Sequence, residues 1–133
     1  MLKEIDKIAY LRTENGQVLS TRSRGKTKYY VPGGKREIGE TDEETLIREI
    51  TEELSVSIIP ETIKYLGTFK AQADSQPEGV IVKMTCYSAD YQGKIKVSNE
   101  IEEIKWLNYY DIDIVGEVDK IIFEFLKEKG ELV

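Results

Sequence analysis

The sequence predicts an α/β fold in which a mixed β-sheet is packed between helical layers. Segments of strand and helix character follow one another in the order β-β-β-α-β-β-β-α, which suits a sheet covered by helices. Val80 to Tyr87 carries apolar groups on both alternating faces, the pattern of a strand buried on two sides. Thr41 to Leu54 and Glu117 to Lys129 each carry one apolar stripe, so each helix covers a face of the sheet. With 133 residues and neither a repeat nor a Pro/Gly-rich linker, residues 1–133 are expected to form one domain.

Ile5 to Leu11 and Val18 to Arg22 are predicted strands joined by Thr13 to Gln17, whose Asn15-Gly16 pair is a hairpin signal. Residues 23–28 form a basic loop, and Tyr29 to Val31 is expected to be a short strand stopping at Pro32-Gly33-Gly34. The first helix opens on Thr41 with Glu44 three residues later, the spacing of a capping box. Leu46, Ile47, Ile50 and Leu54 form its stripe, and Pro60 lies beyond its end. Ile63 to Ala71 and Val80 to Tyr87 are predicted strands separated by the polar loop Asp74 to Gly79, and Glu103 to Leu107 adds a short one. The second helix is expected to bury Val118, Ile121, Ile122, Phe125 and Leu126.

Composition narrows the chemistry. The chain has no histidine and one cysteine, Cys86, which excludes Ser-His-Asp and Cys-His catalysis, the usual zinc sites and an intrachain disulfide. The net charge of −6 argues against DNA and other non-specific nucleic-acid binding, which rests on many cationic contacts to phosphate. A phosphorylated small molecule remains compatible, because bound cations reverse the local field. The charged N-terminus and the lack of an apolar run of about 20 residues predict a cytoplasmic protein with no membrane partner; its oligomeric state is left open between monomer and homodimer.

Glu49, Glu52 and Glu53 stand at i, i+3 and i+4 on the first helix and project from one arc of its surface. Taken alone, they fit a solvated acidic face better than a site. As a site, they would suit a hard divalent cation, which prefers oxygen ligands and relieves their repulsion. The surrounding residues decide between the two. From Gly34 to Val56 the chain closely resembles the Nudix box, G-x5-E-x7-R-E-U-x-E-E-x-G-U, where U is a bulky aliphatic residue. Gly34, Glu40, Arg48, Glu49, Ile50, Glu52, Glu53 and Val56 match in register. Six of these positions demand one residue type, so at roughly 7% usage per type chance matches them about once in ten million starts. Ser55 stands where the family has glycine. Tyr30 to Gly33 resembles the family's lead-in to the box, and Glu100 lies where many relatives place a late acidic residue.

The resemblance implies a Nudix-type α/β/α sandwich and hydrolysis of a nucleoside diphosphate linked to another group, with Mg²⁺ (or Mn²⁺) as cofactor. It implies Glu49, Glu52, Glu53 and the Gly33 carbonyl as metal ligands. Glu49 is the candidate general base, Glu100 an extra ligand or alternative base, and Arg48 the orienting residue for a catalytic glutamate, with Glu40 nearby. Of the basic residues flanking the metal loop, Arg22, Arg24 and Lys35 are expected to bind phosphate, and Tyr30 to stack on a base. The substrate expected first is a nucleoside triphosphate cut to monophosphate and pyrophosphate. The alternatives are ADP-ribose or a nucleotide sugar, and a non-catalytic nucleotide-sensing module. Lys70-Ala71-Gln72-Ala73 lacks the residues by which ADP-ribose and dinucleoside-polyphosphate relatives are often marked, and the intact carboxylates count against the sensing module.

Overall fold

The computed structural model describes residues 3–133; Met1 and Leu2, the start of the charged N-terminus, lie outside it. Strands β1 (Lys3–Tyr10), β4 (Gly33–Lys35), β6 (Lys64–Gln72) and β7 (Val80–Ser88) form one sheet in the order β4-β1-β7-β6. It is mixed: β1 runs parallel to β7, and the β1–β4 and β6–β7 pairs are antiparallel. Strands β2 (Thr13–Glu14), β3 (Gln17–Ser23) and β9 (Ile101–Leu107) form a second, antiparallel sheet, and β5 (Ser57–Ile58) pairs with β8 (Tyr91–Gln92). The helices are α1 (Asp42–Leu54) and α2 (Glu117–Glu128).

β1 shows why the molecule is layered. Its residues alternate between two cores, Ala9 facing the cluster that holds Val82, Met84 and Cys86 and Ile8 and Tyr10 facing the one that holds Leu46, Ile50 and Leu54. Helix α1 closes the second core with Leu46, Ile50 and Leu54, and α2 closes the first with Val118, Ile122, Phe123 and Leu126. This is the sandwich expected from the element order.

Three expectations change. The Asn15-Gly16 turn is present, with φ of 52° and 78°, but it joins β2 to β3, not β1 to β3. β1 instead pairs with β7 and β4, because its two apolar faces need a central position that a hairpin at a sheet edge does not offer. Tyr29 to Val31 forms isolated bridges to Thr21 and Val115, and the strand lies at Gly33–Lys35. In α2 the buried row is Val118, Asp119, Ile122, Phe123 and Leu126, while Ile121 is 41% exposed. The stripe is rotated toward a buried carboxylate that apolar periodicity does not register.

Candidate metal and phosphate site

The site is built around α1. Thr41 accepts from the Glu44 N–H at 3.1 Å and Glu44 accepts from the Thr41 N–H at 2.9 Å, closing the capping box. Asp42, Glu43 and Glu44 fill the first turn, where negative charge is favoured by the helix dipole. At the other end, Ser55 is left-handed at φ 61° and its N–H bonds to the Thr51 carbonyl at 3.1 Å, so the helix closes on a backbone conformation that glycine adopts most readily.

The next carbonyls of that end bring the late loop into the site. Ser98 Oγ donates to the Glu52 carbonyl, the Ser98 N–H to that of Glu53 at 3.2 Å, and the Lys96 N–H to that of Leu54 at 2.9 Å. Carbonyls at a helix end have no partner within the helix, and here residues 96–98 supply one. The Arg24 N–H holds the Glu100 carbonyl at 2.9 Å from the other side. Glu100 thus lines the same cavity as Glu49 and Glu53, a cleft of about 560 Å³ between the two sheets.

Two glycines set the approach of the carboxylates. A Cβ on Gly33, whose φ is +145°, would overlap the Ile8 carbonyl oxygen, and one on Gly34 would overlap the Glu49 carboxylate. The loop therefore lies directly on β1, and Glu49 lies directly on the loop. The Gly33 N–H donates to Glu53 Oε1 at 3.1 Å.

Arg48 organises the other side. Its Nε and Nη2 bind Glu40 at 2.7 and 2.9 Å, and Nη2 also reaches the Lys35 carbonyl at 3.1 Å. Its Nη1 bridges Glu49 at 3.0 Å and Glu52 at 2.9 Å. A two-pronged guanidinium–carboxylate contact fixes direction as well as distance. Arg48 lowers the Glu40 pKa to about 2. Burial, reinforced by Glu49 and Glu100, raises that of Glu53 to about 8, the Gly33 N–H opposing it. Burial also raises the pKa of Glu49, against the pull of Arg48.

The donors are all hard oxygens and fit a divalent cation. Among the described residues no three acidic groups already converge as a metal cage.

The sequence profile of the NUDIX domain matches residues 5–128. The chain belongs to the Nudix hydrolase family. It is 28% identical over 103 residues to an ADP-ribose pyrophosphatase of Methanocaldococcus jannaschii, an alignment covering 77% of this chain and 59% of that protein. The chain thus spans about three fifths of that relative's length. It is 27% identical over 118 residues to an RNA pyrophosphohydrolase of Acinetobacter baylyi, covering 75% and 70% of the two chains. The crystal structure of a MutT protein from Methanosarcina mazei Go1 superposes at a TM-score of 0.76 with 21% identity, covering 98% and 97% of the two chains. At that identity the match shows the shared fold.

Within this Nudix chain the structure gathers Gly33, Gly34, Lys35, Tyr30, Glu49, Glu53 and Glu100 around one cavity. Glu52 stands outside the lining, held by Arg48. Arg22 is also outside: its Nη1 binds Glu102 at 2.9 Å and its Nε faces Glu103 at 3.5 Å. Thr21 and Ser23 line the cavity in its place, because neighbouring residues of a strand point to opposite faces. The Arg24 side chain is likewise absent from the lining, and its backbone serves instead to hold Glu100. Lys26 is the member of the basic loop that reaches the cavity. The Tyr30 hydroxyl donates to Asp74 Oδ2 at 2.8 Å, which fixes its ring in the wall.

Sequence reasoning missed Lys7, Asp74 and Gln76, all in the lining. Lys7 had a signal, a charge in the same alternating row as Ile5 and Ala9. Asp74 and Gln76 had none, since they sat in a loop of polar residues.

Proposed function

We propose that this Nudix protein hydrolyses a nucleoside triphosphate within its phosphate chain, giving a nucleoside monophosphate and pyrophosphate. The observation that carries the reading is one cavity lined by Glu49, Glu53 and Glu100 together with the cations Lys26 and Lys35. Such a lining asks for a polyanion accompanied by a divalent cation, Mg²⁺ or Mn²⁺. Glu49, Glu53 and Glu100 would hold the cation, with Glu52 and the Gly33 carbonyl as the outer candidates. Once bound, the cation supplies neutralisation of phosphate charge and a more acidic water.

The remaining work belongs to the chain. Arg48 holds Glu49 in one orientation, so its carboxylate can take a proton from water without first having to reorient. Lys35 and Lys26 draw the phosphate chain along the wall, a positioning task. The apolar end, an adjoining pocket where Ile5, Val82, Met84 and Val118 join Tyr30, would receive the nucleoside.

A second reading is ADP-ribose or nucleotide-sugar hydrolysis, favoured by the name of the Methanocaldococcus relative. Incubation of triphosphates and ADP-ribose with Mg²⁺ in ¹⁸O-water, followed by mass spectrometry, separates the two. The expected result is monophosphate plus pyrophosphate, with one solvent oxygen on a phosphate product. Orthophosphate plus nucleoside diphosphate would overturn the proposed cut. Faster conversion of ADP-ribose would establish the second reading.

A further inference from the structure

Lys7 and Lys35 stand directly opposite each other across the antiparallel β1–β4 pair. Opposed residues of such a pair project from the same face of the sheet, and like charges placed there are destabilising. Neither lysine forms an ion pair among the described residues, whereas Arg22, Lys28, Arg36 and Arg48 each do. Both line the main cavity, and both line the smaller pocket that continues it over Ile5, Val82 and Val118. The two lysines thus belong both to the carboxylate-bearing cavity and to the adjoining pocket that forms the apolar end of the site.

The other polar side chains at this junction are largely committed. The Tyr30 hydroxyl is given to Asp74, and Asp74 also faces Lys28 Nζ at 3.5 Å and the Glu117 N–H at 3.4 Å. Glu53 uses one oxygen on the Gly33 N–H. What remains is a pair of donor-only groups without an ion pair of their own among the described residues; the Glu53 and Asp119 carboxylates feel the charge of Lys7, but neither is in salt-bridge contact with it.

We propose that Lys7, together with Lys35, forms an anion subsite that grips the phosphate attached directly to the group in the apolar end. This inference rests on the nucleotide reading above and deepens it. In a triphosphate the gripped group is the phosphate that stays with the nucleoside, so the pair also retains the monophosphate product. Lys7 enters the site from β1, an inner strand of the four-stranded sheet, and is half-buried, whereas Lys26 of the basic loop is exposed.

The test is calorimetric titration of the nucleoside 5′-monophosphates AMP, GMP, CMP and UMP, each beside its unphosphorylated nucleoside, into the protein in EDTA. At least one monophosphate should bind more tightly than its nucleoside, and that advantage should shrink as salt rises. Lys7→Met should weaken the monophosphate at least tenfold, about 1.4 kcal/mol, and leave the nucleoside unchanged. Lys7→Arg should restore binding to within about threefold, since the charge is kept. The proposal is overturned if no monophosphate outbinds its nucleoside. It is equally overturned if Lys7→Met weakens nucleoside and monophosphate alike, which marks a packing role, or if that variant changes only Mn²⁺ affinity, which marks charge compensation of Glu53. Because no turnover is needed, failure to hydrolyse triphosphates would sink the proposed reaction while Lys7-dependent monophosphate binding stood.

Discussion

Glu53 and Asp119 are both glutamate or aspartate in a chain rich in exposed acids, yet they are 6% and 0% exposed. Asp119 Oδ2 accepts from the Val31 N–H at 2.7 Å, and Oδ1 has no protein hydrogen-bond partner. A carboxylate removed from water favours its neutral form, and burial raises the Asp119 pKa to about 7. The unfolded value is near 3.9. A folded pKa above the unfolded one means that the folded state holds the proton more strongly. The stabilisation is therefore complete below pH 4 and is lost as pH rises toward 7. Asp119→Asn removes this titration and leaves the Val31 contact an acceptor. We predict that the stability of the wild type, measured relative to Asp119→Asn, falls by up to roughly 4 kcal/mol between pH 4 and 7.5. Denaturant titrations across that range check it, and parallel pH profiles for the two proteins would refute it. Any constant offset from the new amide does not affect the slope.

At the scale of elements, α1 and the strands that flank it decide which residues meet. The box positions were legible because a helix repeats every 3.6 residues, so Glu49 and Glu53 share a face wherever the helix is placed. The direction of Arg22 depended on a two-residue period: a shift of one position in β3 exchanges cavity and outer face, and Ser23 won the inner position. The end of α1 yields a prediction of its own. Ser55 holds a left-handed conformation at φ 61°, which costs a residue with a Cβ about 1 kcal/mol relative to glycine. Its side chain makes only a 3.4 Å contact to Ser98 Oγ. Ser55→Gly, which restores the residue usual in the family, should stabilise the protein by about 0.5–1 kcal/mol and leave kcat unchanged. Chemical denaturation measures the first and steady-state kinetics the second. A loss of stability would show that the Ser98 contact or unfolded-chain entropy outweighs the backbone strain.

At the scale of the whole molecule, the cleft exists because two sheets and two helices bury separate cores on either side of β1. The carboxylates that face it repel one another, so a cation that binds the folded state alone should stabilise it by about 2.7 kcal/mol at a hundredfold excess over Kd. Millimolar Mg²⁺ should raise the Tm of the wild type by several degrees. Glu53→Gln should abolish that rise and the turnover with it, yet remain folded, because the amide oxygen can still accept from the Gly33 N–H. The near-complete burial of Glu53 makes this comparison sharper than it would be for an exposed ligand. Thermal scans with and without Mg²⁺ report it, and an unchanged Mg²⁺ response in the variant would remove Glu53 from the ligand set.

The sequence by itself determined the fold class, from the order of its elements, and the position and capping of α1 and the register of Gly34, Glu40, Arg48, Glu49, Glu52 and Glu53, because these are written in local spacing along the chain. Tertiary structure alone decided the rest. Lys7 meets Lys35 only because β1 pairs with β4. Glu100 reaches Glu53 only because the last carbonyls of α1 needed donors and residues 96–98 supplied them. Asp74 and Asp119 become wall and core only when the loop after β6 and the start of α2 close on Tyr30 and Val31. Local spacing sets which face of an element a side chain takes, but which faces meet depends on burying two apolar cores at once, a condition satisfied only by the complete chain.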